Sequence, residues 1–104
     1  MTEKITFGGV ISRARKDKGW SLKELCSKVL REEDGEPISP QYLNDIEHNR
    51  RSPSSDWMVK QFAVALGISA DWLYYLAGRL PADLRNRKLS EDKVTELMVA
   101  FRKG

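Results

Sequence analysis

Two carboxamides, Gln41 and Asn44, stand three residues apart in the run Ser39-Pro40-Gln41-Tyr42-Leu43-Asn44-Asp45-Ile46-Glu47. On a helix that spacing puts both on one face. Each amide carries a donor beside an acceptor, the pairing that matches the N6/N7 edge of adenine. An ordinary solvated helix shows the same face, so spacing alone leaves both readings open. Asp45 can accept from cytosine N4 or repel a wrong base, while Pro40 has only shape or a thymine-methyl contact to offer. Just beyond, Arg50 and Arg51 set two guanidinium groups side by side, suited either to phosphates or to solvation of a loop.

Other chemistry finds little support. One cysteine, Cys26, and one histidine, His48, cannot make an internal disulfide or a four-ligand zinc site. Cys26 falls on an apolar stripe and reads as a buried, inert thiol, and His48 reads as an ordinary helix-end residue. No nucleophile has a base and an orienter, no glycine-rich phosphate loop occurs, and Glu32-Glu33-Asp34 lacks the alternating ligands of a calcium loop. The expectation is a protein without catalysis, metal or cofactor, and without a ligand pocket of its own.

The elements that must position Gln41 and Asn44 read as helices throughout, giving an all-α fold with no internal repeat. Phe7, Val10, Ile11 and Ala14 form a first stripe after a Thr6 cap, with Gly19 closing the helix and Gly8 and Gly9 each weakening it by about 1 kcal/mol. Ser21-Leu22-Lys23-Glu24 has the form of a capping box, with Trp20 and Leu25 placed as a staple, and Leu22, Leu25, Cys26 and Val29 extend a second helix to residue 30. Arg31 to Pro37 contains no apolar side chain and reads as a solvated loop. Ser39 caps a third helix with Pro40 in its first position, Leu43 and Ile46 pointing inward and Asn49 closing it. Ser54 is the expected cap of a fourth helix, with Met58, Phe62, Ala65 and Leu66 inward and Gly67 at its end. Residues 69–76 make a short aromatic fifth helix, Leu80 to Leu84 a turn-like connector, and Ser90 caps a sixth helix carrying Val94, Leu97, Met98 and Phe101.

The 104 residues suffice for one domain with a short appendage, divided here as 1–79 and 80–104. Eighteen Lys and Arg against fifteen Asp and Glu leave a charge of +3, with 40% apolar residues for a core. The sign is segmental: residues 1–30 carry +4, residues 31–48 carry −5, and the rest is basic. A basic surface broken by one acidic loop suits a polyanion. No apolar run reaches the ~18 residues of a membrane span, and the amino end lacks the layout of a secretory signal, so the expected setting is the cytoplasm, away from membranes.

Residues 7–78 resemble the phage repressor and Cro-type helix-turn-helix family, often called the Xre family. The strings that carry the resemblance are Arg15-Lys16-Asp17-Lys18-Gly19-Trp20-Ser21-Leu22-Lys23-Glu24-Leu25, Ser39 to Glu47, Ser52-Pro53-Ser54, and Ala65-Leu66-Gly67-Ile68-Ser69-Ala70-Asp71-Trp72-Leu73. The resemblance implies a five-helix domain whose second and third helices form a DNA-reading pair, here followed by an extra helix. It implies that Ser39, Pro40, Gln41, Asn44 and Asp45 face base edges, that Tyr42, Arg50 and Arg51 lie near phosphates, joined by Lys23, and that Arg15 and Glu47 form an internal ion pair. One departure is clear: relatives cross from the second to the third helix in three or four residues, whereas Leu30 to Ile38 spans nine with four acids.

The expected function is therefore a sequence-specific DNA-binding regulator, a repressor acting on double-stranded DNA as a homodimer at a pseudo-palindromic operator. The alternative is an antitoxin or adaptor that holds a protein partner through the acidic loop or the last helix. Val94, Leu97, Met98 and Phe101 form one apolar stripe on a helix too short to persist uncovered in water. Packing on the chain's own core and pairing with a second subunit both cover it. Pairing, with Trp72 and Tyr75 contributing, is the reading adopted.

Overall fold

The computed structural model describes residues 5–103. Seven helices follow one another: α1 (Phe7–Asp17), α2 (Leu22–Cys26), α3 (Pro40–Glu47), α4 (Asp56–Leu66), α5 (Ala70–Leu76), α6 (Ala82–Arg85) and α7 (Glu91–Lys103). The caps read from sequence are largely in place. Thr6, Ser21, Ser39 and Ser69 each accept from the amide three residues on, and at Ser21 the Glu24 carboxylate returns the bond to complete the box.

A single core lies where α3 packs on α1 and α2, and α4 on α1 and α5. Ile11, Leu25, Val29, Leu43, Ile46, Val59, Phe62 and Leu73 are fully buried there, and Phe7 meets Phe62 edge to face with ring centroids 6.0 Å apart. On α4 the stripe differs from expectation. Val59 and Ala63 are buried while Ala65 is only half-buried, because α4 is wedged between α1 and α5 and presents a face wider than one row of side chains.

Three boundaries also depart from the sequence reading. The second helix ends at Cys26 instead of reaching residue 30. The Lys28 and Val29 amides bond three residues back, to Leu25 and Cys26, and the tightened chain still delivers Val29 to the core, which is why its apolar period looked helical. The α4 cap is Ser55, whose hydroxyl accepts from the Met58 amide, while Ser54, one residue earlier, exchanges hydrogen bonds with the Tyr42 hydroxyl through its amide and its own hydroxyl. The turn expected at Leu80 to Leu84 contains the short helix α6, fixed where Arg85 pairs with Asp56 at the start of α4 and donates to the Leu80 carbonyl. The Arg85 guanidinium holds the Asp56 carboxyl below the usual carboxylate range.

The acidic insertion is an ordered detour. Leu30 and Pro37 face each other in an antiparallel bridge, Arg31 donates its amide to the Glu36 carbonyl at 2.8 Å, and Ile38 donates to Val29 at 3.0 Å. Arg31, the one base in the loop, pairs with Glu33 and Asp34. From α4, Gln61 accepts from the Leu30 amide at 2.9 Å and the Trp57 indole donates to the Leu30 carbonyl at 2.8 Å, so the loop is fastened to α4 at its root.

Candidate nucleic-acid interface

The pair of helices α2 and α3 is held from behind by an ion pair. Arg15 on α1 donates from Nε and Nη2 to the two carboxylate oxygens of Glu47 on α3, at 2.7 and 3.0 Å, and from Nη1 to the Trp20 carbonyl at 2.7 Å. The Glu47 side chain is only 3% exposed and that of Arg15 12%, so neither charge has much water, and the hydrogen bond Arg15 donates to Glu47 raises its guanidinium above its ordinary value. A parallel fork of this kind fixes angle as well as distance. It sets the carboxyl end of α3 against the turn that leads into α2.

A second clamp was not legible as such in the sequence. Asn49 adopts φ +60° just past α3, accepts from the Gly8 amide through Oδ1 and donates to Thr6 Oγ1 through Nδ2, both at 3.0 Å. A Cβ on Gly8 would lie 2.3 Å from the Ile46 carbonyl oxygen and 2.6 Å from that of Glu47. Gly8 thus lets the first turn of α1 touch the end of α3 backbone to backbone, a closeness that outweighs its low helix propensity.

These constraints leave the other face of α3 outward. Ser39, Pro40 and Gln41 are exposed, and Asn44 and Asp45 half-buried. Gln41 Nε2 and Arg50 Nε both donate to Asp45 Oδ1, each at 3.1 Å. The structure therefore joins Gln41, Asp45 and Arg50 into one cluster. Because an amide nitrogen carries two hydrogens, Gln41 keeps its carbonyl and a second N–H for an outside partner. Tyr42, Arg51 and Ser54 form a second group: Arg51 lies over the Tyr42 ring at 5.5 Å from its centroid, and the Ser54 amide donates to the Tyr42 hydroxyl at 3.3 Å. Lys23 is exposed on α2.

Two short helices locked at a fixed angle, the second offering carboxamides with guanidinium groups at its end, form a geometry that fits a DNA groove and its phosphates. Residues 11–73 match the sequence pattern of the helix-turn-helix family, which is more than half of the chain. The chain belongs to the Xre-type helix-turn-helix family. It is a DNA-binding transcription regulator. No curated protein and no solved structure matches it.

For an Xre-type protein the remaining polar residues take plain roles. His48 Nδ1 lies 2.9 Å from the Asn44 carbonyl at the helix end, and burial pushes the Cys26 thiol up, keeping it protonated in the core. Among the described residues no three His, Cys, Asp or Glu side chains gather as a metal site, and no helix is long and apolar enough to cross a membrane.

Away from α3, Trp72 and Tyr75 of α5 stack at 5.7 Å and 14°, 39% and 63% exposed. They line an open apolar groove of about 980 Å³ whose opposite wall is Leu97, Ala100 and Phe101 of α7. This groove had no counterpart in the sequence reading, which inferred no pocket, because its two walls are 25 residues apart and each alone reads as a stripe.

Proposed function

We propose that the protein represses transcription by binding a pseudo-palindromic operator as a homodimer. The observation that carries this reading is the outward face of α3, where Gln41 and Asn44 stand on a helix fixed at its carboxyl end by Arg15–Glu47 and by Asn49. In this reading Ser39, Pro40, Gln41 and Asn44 enter the major groove, with Asp45 among them holding Gln41 and Arg50. Tyr42, Arg50, Arg51 and Lys23 meet phosphates.

Two copies present two such helices to successive major grooves, about 34 Å apart. The second copy is joined through Trp72 and Tyr75 of α5 and Val94, Leu97, Met98 and Phe101 of α7. Occupying an operator that overlaps a promoter excludes polymerase, which gives repression as the sign. Selection of bound sequences from random double-stranded DNA tests the reading. A recovered site with two inverted half-sites about one helical turn apart is expected, and recovery of no preferred sequence would refute it.

A further inference from the structure

Every residue of α7 is exposed, yet Val94, Leu97, Met98 and Val99 are each about 40% exposed and Phe101 63%. A 13-residue helix is marginal in water without a covered face. The radius of gyration, 15.3 Å, exceeds the about 13 Å typical of a compact chain of this length, as expected when one helix stands off the body. The charges on α7 say what covers it. Its first turn is acidic, with Glu91 and Asp92, and its last is basic, with Arg102 and Lys103.

At about 100° per residue, Leu97, Ala100 and Phe101 turn toward the groove of α5, while Met98 lies on the far edge of the apolar band. Glu91 and Arg102 fall beside Met98, at about 60° and 80° from Val94. The band is therefore flanked on its free side by an acid at one end and a base at the other. A parallel copy would set Glu91 against the partner's Glu91 and Arg102 against the partner's Arg102. An antiparallel copy sets each Glu91 against the partner's Arg102, twice, with the twofold axis beside Met98.

We propose that α7 pairs antiparallel with α7 of a second copy of this chain, centred beside Met98 and locked at both ends by Glu91 with the partner's Arg102. The pairing rests on the homodimer reading above and adds its orientation. It covers the free side of the band around Met98, beside the groove that Trp72 and Tyr75 line.

Sedimentation equilibrium of the 104-residue chain and three variants tests it, with far-UV circular dichroism showing that each variant is folded. Glu91→Arg alone and Arg102→Glu alone each turn two attractions into two repulsions. Each is expected to weaken the dimer about tenfold, since two modest exposed attractions become two repulsions. Glu91→Arg with Arg102→Glu in the same chain restores the pairing and is expected to return the dissociation constant to within about threefold of wild type. If the wild type is a dimer that neither single variant weakens, the antiparallel pairing is overturned and the homodimer reading stands. If the wild type is a monomer at all concentrations, with and without DNA, the homodimer reading fails and takes the pairing with it.

Discussion

Replacing Glu47 with alanine leaves a guanidinium inside the protein with most of its partners gone. Arg15 is 12% exposed and makes two of its three side-chain hydrogen bonds to Glu47, so water cannot replace the lost carboxylate. Breaking one side of a buried pair costs about 3–5 kcal/mol. A domain of this size has a total stability of about 5–15 kcal/mol, so the variant loses a large share of it. At about 4–8 °C per kcal/mol, the melting midpoint should fall by roughly 12–40 °C. Urea unfolding followed by circular dichroism measures the change. Removing both charges together, as Arg15→Met with Glu47→Leu, should recover most of the loss. About 1 kcal/mol remains lost because the Trp20 carbonyl keeps no donor from Arg15. A cost below about 1 kcal/mol for Glu47→Ala, or a double variant no better than the single, would show that the pair does not hold α3 in place.

Gly8→Ala should destabilise by about 1–3 kcal/mol or more despite alanine's better helix propensity, because its Cβ meets two backbone carbonyls that cannot step aside. Thermal melting beside Gly9→Ala, whose Cβ meets only the Thr6 hydroxyl at 3.0 Å and which should lose less, checks it. Gln41→Ala and Asn44→Ala should each weaken the selected operator by about 1–3 kcal/mol and relax preference at particular base pairs, whereas Arg51→Ala should weaken all sequences alike and lower the salt slope by about one unit. Titrations on the selected and on scrambled DNA at several salt concentrations separate the two. Asp56 is depressed in the folded state, so its contribution is full above the ordinary carboxylate value and disappears as pH falls through the lower folded value. Asp56→Asn should therefore remove part of the acid-side decline in stability, and acid titrations of both proteins compare the slopes.

Helix identity and most caps were legible because they are local. Ser21 with Glu24, Ser39 with Pro40, and Gly19 or Asn49 at helix ends each act within four residues. Long-range features were not. Gly8 read as a helix weakener because the carbonyls it must clear belong to residues 46 and 47. Val29 kept an apolar period through a turn, since the period records burial and a tight turn also buries. Ser54 and Ser55 are equal as caps until Tyr42, twelve residues away, engages the first of them. At the site, Gln41, Asn44 and the arginines stood out by type. The contacts of Asp45 with Gln41 and Arg50 depend on rotamers that spacing does not determine.

The bridge between Leu30 and Pro37 separates chain length from geometry in the reading pair. Because the two ends of the detour are fastened to each other, and the Leu30 end to α4, what lies between them does not set the distance from α2 to α3. Lengthening such a closed loop costs little, about 0.6 kcal/mol for each doubling. Residues 31–36 thus form a place where this fold can gain or lose sequence, natural or grafted, while the spacing between α2 and α3 stays the same.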